Sequence, residues 1–453
     1  MKLNPGLFFL AACPLCVQVC HAEAAFTHAL NAVQAAQSDD LGPVVCAVLD
    51  STGGDELAYY RQMRKAADAG HPVALTWTAG QLIRQQQLQG AIAENSPEIA
   101  RSRAMLEQAV ASGYVPAMVE LAHLCGSGIG SKADETEGMK YLMQACKAGS
   151  QRARAAYLLL SGRLEKEGAT GAAVAAELKK NNFHVEEFLA GLNAAADEKQ
   201  GLEWMQRAAS HGSPRAAYRL GMYYMQQGEE ERGLELLKQA TERNSAEALA
   251  YLASLTLPES ELSPALQGII KQDTAAAIRL FQQAVLLGYT PALIPLAGEY
   301  RKQPVIYTPE RIFELYRLAA DAGDPRGGVA YAHCLVTGKG CQAEVERGLR
   351  ILNQLTDAGI SFANMALADL YFNGTGVEAD IRKALSALSA ASSAGVPQCY
   401  TLMAVIAQLG NASKASDPVR ASVYLRMAEE RGEIAPRQTF DSMVQAGSWK
   451  FMP

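Results

Sequence analysis

Charge is sparse in this sequence. Asp, Glu, Lys and Arg make up 19 % of 453 residues, and 41 basic against 47 acidic side chains leave a net charge of −6. No basic run interrupts that balance, so nothing in the composition favours nucleic acid or an anionic lipid surface. Past residue 25, no apolar stretch approaches the roughly 20 residues that a membrane-spanning helix requires. Cysteine is scarce too. Of nine, Cys13, Cys16 and Cys20 lie in the first 25 residues, leaving Cys46, Cys125, Cys146, Cys334, Cys341 and Cys399. That is too few for a disulfide framework. Most read as small buried apolar residues, with Cys334 and Cys341 the closest candidate pair for a bridge. Catalytic signatures are also missing: no His-Glu-x-x-His, no P-loop, no Gly-x-Ser-x-Gly elbow and no Ser-x-x-Lys. Only seven histidines are present, His21 among the first 25 residues, so candidates for a general base or a metal ligand are few. No cofactor motif is found.

The first 25 residues do have a pattern. Lys2 is the only early charge, an apolar run begins at Leu7 and reaches about Val19, and small residues flank "HAEA" at 21–24. This is the layout of a secretory signal peptide over residues 1–24, cut after Ala22 or Ala24. A second reading takes Leu10-Ala11-Ala12-Cys13 as a lipobox, with Cys13 lipidated and the chain anchored to a membrane through it. The expected location is therefore periplasmic or secreted, or a lipoprotein.

Ala and Leu are abundant, Glu, Gln and Arg are frequent, and all lose little rotamer freedom in a helix. They are arranged around a recurring anchor: an Ala-rich helix end, a glycine, a few small or polar residues, then Ala or an equivalent. "QAVASGYVPA" ends at Ala117, "RAASHGSPRA" at Ala216 and "LAADAGDPRG" at Gly327. The anchor glycine falls at 70, 113, 149, 212, 288, 323, 359, 395 and 432, with Asn244 replacing it once. Asn is the other residue that tolerates a left-handed backbone. The commonest spacing is 36 residues, with one gap of 63 between Gly149 and Gly212. Each anchor reads as a helix C-cap followed by a new helix. A second glycine turn follows that helix, at Gly126, Gly338 and Gly374, with Asp134 and Asp380 placed to cap the next helix. Two helices and two turns fill one period. A hairpin that small cannot bury its apolar face alone and must stack on its neighbours.

The pattern "AxxxG…A…L(G/A)…G.G(V/I)…D…A" resembles the Sel-1-like repeat family, a relative of the tetratricopeptide repeat. Its fullest copies run from Ala358 to Leu388 and from Ser112 to Ala145, and the resemblance covers about residues 57–435. It implies an all-α fold, a right-handed superhelical solenoid of about ten helix-turn-helix repeats. Residues 25–56 would form an N-terminal cap, about 160–200 a decayed repeat or inserted helix pair, and 436–453 a tail. "GSGIG" at Gly126 belongs to the family's turn and is not a phosphate loop.

Ten residues past the anchor glycine lies a chemically varied column: His123, Met222, His333, Asp369 and Val405. Two residues earlier the column is Leu121, Tyr331 and Leu367, and it reads as packed core. By the resemblance, the first helix of each repeat lines a concave groove. That would place His123, Met222, His333 and Asp369 on one partner-binding face, with Tyr218, Met365 and Phe372 on the same side. The alternative for each histidine is a local hydrogen bond near a helix end. A metal site built from His333, Cys334 and Cys341, or from His123 and Cys125, is a remoter alternative; adjacent His333 and Cys334 point about 100° apart on a helix, against joint ligation. Tyr141, Trp204, Phe281, Phe313 and Tyr424 read as second-helix core. The expected role is an exported scaffold or adaptor holding a protein or peptide partner, of the kind the family uses in envelope complex assembly or regulation. Two alternatives stand beside it: a penicillin-binding or β-lactamase-like enzyme like the family's cysteine-rich secreted relatives, and a purely structural spacer. The enzyme relatives carry a cysteine pair in nearly every repeat, which only the repeat with Cys334 and Cys341 approaches here.

Overall fold

Left-handed residues punctuate the chain where the anchors fall. In the computed structural model, φ is +82° at Gly70, +76° at Gly113, +93° at Gly149, +108° at Gly212 and +89° at Gly288. It is +83° at Gly323, +82° at Gly359, +83° at Gly395 and +70° at Gly432, and Asn244 takes φ +59°. The structure describes residues 26–38, 44, 56–88, 96–129, 132–164, 177, 180, 182–193, 198–411 and 413–447. Residues 1–24, with Cys13, lie outside them.

The residue after each anchor glycine donates its N–H to a carbonyl five residues back, as Tyr114 does to Ala109 (3.2 Å), Ser213 to Ala208 (2.9 Å) and Asp324 to Ala319 (2.9 Å). This is the Schellman closure of a helix end, and it explains the alanine that opens the anchor. Ala109, Ala145, Ala208, Ala240, Ala284, Ala319, Ala391 and Ala428 are all fully buried. The small residue that ends the anchor packs back on that alanine: a Cβ placed on Gly327 would lie 2.5 Å from the Cβ of Ala319. Larger side chains at either position would push the two helices apart.

Helices pair within each repeat. In residues 1–292, one of two compact units, Pro72–Leu88 packs on Pro97–Ala111 and Val115–Ser127 on Glu135–Lys147. Phe183–Asn193 packs on Glu198–Ser210, Pro214–Gln226 on Glu230–Glu242, and Ala246–Thr256 on Thr274–Leu286. In residues 293–453 the pairs are Leu293–Lys302 with Pro309–Asp321 and Pro325–Thr337 with Val345–Asp357. Ser361–Asn373 with Ile381–Ser393 and Cys399–Leu409 with Pro418–Glu430 follow. The fold is an all-α solenoid of tandem helix hairpins.

The second turns work largely as expected. Asp134 accepts from Glu137 N–H at 2.8 Å, and Asp380 accepts from Arg382 and Lys383 N–H at 2.9 and 3.2 Å. One position differs: Gly126 is still helical, and Gly128, at φ +66°, ends that helix. Gly138, on the following helix, lies so close to its partner that a Cβ there would sit 3.0 Å from the Ala122 carbonyl. The long gap holds the hairpin Phe183–Asn193/Glu198–Ser210, a repeat whose entry lacks the glycine anchor. Asn182 stands one position after the missing anchor: its N–H reaches the Glu177 carbonyl at 3.4 Å, and its side-chain oxygen accepts from His184 N–H at 3.2 Å to cap the next helix. At the far end, residues 436–445 are not loose tail but a helix whose Phe440 and Met443 pack against the last core cluster.

The first unit also closes on itself. A helix over residues 26–35 and the first hairpins bury Phe26, Leu30, Tyr59, Met63, Leu106 and Leu121 in one cluster. Leu286, 165 residues past Leu121, belongs to the same cluster. The Tyr60 hydroxyl donates to the Val285 carbonyl at 3.3 Å. Helices from sequence-distant repeats thereby meet.

Candidate functional site

The expected groove column divides between the two units. His123 is exposed on Val115–Ser127, while Tyr218 and Met222 are half-buried on Pro214–Gln226 against a core of Ala217, Leu220 and Leu237. In the second unit the column is internal. His333 and Asp369 are 4 % and 5 % exposed, and the imidazole Nε2 lies 2.8 Å from the Asp369 carboxylate. Asn373 donates its side-chain N–H to the other carboxylate oxygen at 2.7 Å. Burial thus removes His333 and Asp369 from any partner-binding face, and their bond ties the first helices of adjacent repeats together. Phe372 is corrected likewise: it is buried in the core with Leu388 and Leu402, and half-buried Met365 packs against the same cluster.

The bridge between Cys334 and Cys341 is not formed. Both are free thiols, and Cys341 Sγ–H instead faces the Cys334 carbonyl at 3.5 Å. Burial pushes the thiols of Cys125, Cys334 and Cys399 up to about 11, 12 and 12, far from thiolate character. Among the described residues, no three His, Cys, Asp or Glu side chains gather as a metal site. Of the second-helix aromatics, Phe281 is fully buried, whereas Tyr141, Trp204, Phe313 and Tyr424 are half-buried.

The reading of the sequence sampled one position of a wider stripe. Residues three, seven, ten and fourteen past the anchor lie on one side of the first helix, since they follow helical spacing. In the first unit this stripe includes Trp77 and Arg84 after Gly70, Glu120 and His123 after Gly113, Arg152 after Gly149, and Glu247 and Tyr251 after Asn244. In the second unit the corresponding positions include fully buried Ala330 and Ala366. The contrast is clearest seven residues past the anchor; three past it, Arg326 and Phe362 are exposed in the second unit too.

The stripe residues of the first unit converge. Arg152 pairs with Glu120 at 2.9 Å. The Arg84 guanidinium is open to water yet hemmed in by protein, which lowers its pKa, while Glu120, Tyr60 and Glu247 act in the opposite direction. Burial raises Tyr218, Tyr251 and Tyr289. Glu247 adds to the shift at Tyr218 and Tyr289, and Tyr218 with Glu230 adds to that at Tyr251. Arg84 and Glu247, 163 positions apart in sequence, thus share one electrostatic environment. Trp77 sits edge-to-face with Tyr60 and Tyr59, with ring centroids 5.2 and 5.7 Å apart. The result is a polar, aromatic cluster with exposed charges of both signs.

A cleft of about 410 Å³ is lined by Gln37, Ser38, Pro116, Ser150, Arg152 and His184, among others. Two helix N-termini open near it, and both are capped from within the chain: Val115 N–H by the Gln37 side chain at 2.8 Å, Ala153 N–H by the Ser150 hydroxyl at 3.0 Å.

Comparison with known proteins finds a repeat model in six segments of the chain. The Sel1 repeat model matches residues 115–150, 186–213, 214–254, 260–289, 313–324 and 361–396. Comparison with curated proteins finds no match. Among solved structures, the chain is similar to a protective antigen of uropathogenic Escherichia coli displaying an SLR fold. Identity is 17 %, with 96 % of this chain and 97 % of that one covered at a TM-score of 0.43. A Sel1 repeat protein from Oxalobacter formigenes aligns at 21 % identity, over 56 % of this chain and 99 % of its own, with TM-score 0.39. An immunity protein from Pseudomonas aeruginosa aligns at 17 % identity, over 47 % and 83 %, with TM-score 0.33. The six matched segments, with the left-handed anchors and the stacked hairpins, show that the chain carries Sel1 repeats, which typically form protein-interaction scaffolds.

Proposed function

We propose that the protein is an exported, non-enzymatic adaptor that holds a protein or peptide partner on the inner face of its first unit. The observation that carries this reading is the contrast between the two stripes. Where the second unit places Ala330, Ala366 and the buried His333–Asp369 pair, the first places Trp77, Arg84, Glu120, His123, Glu247 and Tyr251. A stripe needed only for stacking is small and apolar. One that presents aromatic rings and charges of both signs suits recognition of a polypeptide. Stacked repeats also gather weak contacts from many helices onto one extended ligand. Export rests on the layout of residues 1–24, and a role in envelope complexes rests on analogy with the family.

Cross-linking and pull-down from the native envelope test the partner-binding reading, with the wild type beside a His123→Ala/Glu247→Ala/Tyr251→Ala variant. The variant is expected to lose a defined set of proteins that the wild type recovers. Equal recovery by both would refute the inner face as the binding surface. Fractionation of cells expressing the chain with and without residues 1–24 tests export, and incorporation of a radiolabelled lipid precursor that disappears in Cys13→Ser would show anchoring. Nitrocefin should remain unhydrolysed by the purified protein; saturable turnover would favour the enzymatic reading.

A further inference from the structure

The cleft beside the helix over residues 26–35 is held open, because its walls are tied to what lies behind them. It encloses about 410 Å³ where Val115–Ser127, Gln151–Leu164 and Phe183–Asn193 begin. That is the size of an ordinary small-ligand pocket. The bonds that fix its walls consume acceptors. The Gln37 side-chain oxygen accepts from Val115 N–H at 2.8 Å, and the Ser38 carbonyl accepts from the Tyr114 hydroxyl at 2.6 Å. The Ser150 hydroxyl oxygen accepts from Ala153 N–H at 3.0 Å, and the Gln151 carbonyl accepts from the Asn182 amide at 3.4 Å. Donors are what these residues keep for the cleft. Because a backbone N–H holds the Gln37 oxygen, its amide cannot turn, and the NH2 end is left over. A hydroxyl that accepts at its oxygen still has a hydrogen to donate. The Gln151 amide and the Arg152 guanidinium add further donors. Among the described residues lining the cleft there is no Asp, Glu or Lys, and Arg152 carries the one permanent charge.

We infer that this cleft is a carboxylate-binding site, which receives the terminal carboxylate or an acidic side chain of the bound polypeptide. A carboxylate is acceptor-only, with lone pairs for several donors at once, and a planar guanidinium matches its geometry. Gln37, Gln151 and Arg152 are exposed, so a ligand reaches their donors from solvent. Arg152 also pairs with Glu120 at 2.9 Å. That pair offsets its charge, so a singly charged carboxylate fits better than a phosphate dianion. Pro116 and Val119 supply apolar wall for the aliphatic part of the ligand. Arg152 stands both in the cleft and on the stripe, three residues past Gly149. The inference deepens the adaptor reading and rests on it for its biological meaning, but its test needs no partner.

His184 lines the cleft and serves as the reporter. Each histidine gives one imidazole Cε1–H signal in a carbon-13 spectrum of the full chain, and loss of a peak in His184→Gln assigns this one. The probes are N-acetylglycine for a terminal carboxylate, N-acetylaspartate N-methylamide for a side-chain carboxylate, N-acetylglycinamide as the neutral control, and inorganic phosphate, all at matched pH and ionic strength. Titration to about 50 mM saturates a millimolar site. The His184 signal is expected to move saturably with one or both acids and not with the amide, while His333, buried in the second unit, stays in place. Whichever acid binds more tightly identifies the source of the carboxylate. Arg152→Gln should weaken the response about tenfold. Gln37→Glu keeps an acceptor for Val115 N–H but replaces the amide donor with a carboxylate oxygen, and it should abolish the response. An unshifted His71 signal, from the same unit, shows that the variants keep their fold. The site is refuted if His184 responds to neither acid, if the amide moves it equally, or if phosphate is preferred. It is equally refuted if either variant responds like the wild type. A His184 response without loss of partners in the pull-down would overturn the choice of binding face and leave the cleft standing; the converse result would do the reverse.

Discussion

His333 and Asp369 stand 36 residues apart, one repeat, and their hydrogen bond turns a column that reads as a binding face into a joint between repeats. The carboxylate accepts from Asn373 as well, so both of its oxygens are engaged. Asp369→Ala would take the carboxylate away from the buried His333 imidazole, while exposed Asn373 keeps its bond to the residue-369 carbonyl at 3.1 Å. It is expected to lower the stability of the second unit by about 1–3 kcal/mol, read as a drop in its urea midpoint, with partner recovery unchanged. Thiol reactivity discriminates among the cysteines at the same scale. Cys125, Cys334 and Cys399 are buried and held protonated, whereas Cys146 and Cys341 are half-buried. Iodoacetamide on the native protein, followed by peptide mass mapping, should mark Cys146 and Cys341 first and reach the other three only on unfolding. Rapid native labelling of Cys334 would contradict its placement.

At the scale of the element, what recurs is a way to stop a helix and start another. The anchor combines an alanine small enough for full burial, a residue that accepts a left-handed backbone, and a small residue that packs back on the alanine. Asn244 shows which of these requirements is conformational, since it holds φ +59° without being glycine. Asn244→Gly is therefore expected to leave stability within about 0.5 kcal/mol, while Asn244→Val should lose about 1–2 kcal/mol, because a β-branched residue is strained in that region. Thermal unfolding of the two variants side by side checks the difference, and equal melting temperatures would show that the turn has relaxed out of the left-handed region. The same element favours the decayed-repeat alternative for the hairpin Phe183–Asn193/Glu198–Ser210: its entry lacks the glycine, yet Asn182 still caps the next helix as Ser213 and Asp324 do elsewhere.

For the molecule as a whole, the buried thiols set a limit on alkaline stability. Cys125, Cys334 and Cys399 titrate near 11, 12 and 12 in the folded chain against 9.0 for an ordinary thiol. Below pH 9 both states keep these protons and no pH dependence follows. Above it, the unfolded chain releases protons that the folded chain retains, so stability falls as pH rises and levels off only when the native thiols themselves ionise. At pH 10 each thiol should contribute about 1 kcal/mol of that loss. Comparison of urea midpoints at pH 7.5 and 10 should show a smaller drop for Cys334→Ala than for the wild type. Equal drops would mean that Cys334 is not shielded in the folded state. Because hairpins lean on their neighbours, the loss is expected to spread to adjacent repeats.

Periodicity was legible without coordinates, because capping and helix crossing are local demands that return every 36 residues or so. The left-handed positions, the capping roles of Asp134 and Asp380 and the buried alanines all follow from that repetition. Which side chains face water did not follow. His123 and His333 occupy the same register, yet one is exposed and the other bonded inside the stack, because the next repeat offers Asp369 to His333. Phe372 was misplaced for the same reason: burial depends on what the neighbouring hairpin brings up against a helix. The bond from Tyr60 to Val285 lies further still beyond sequence reading. It joins residues 225 positions apart, and no local pattern encodes where a stack of hairpins curls back on itself. The sequence by itself determined the repeating hairpin and its turns. Only the packing of one repeat on another decided which of its polar residues hold the stack together and which are left for a partner.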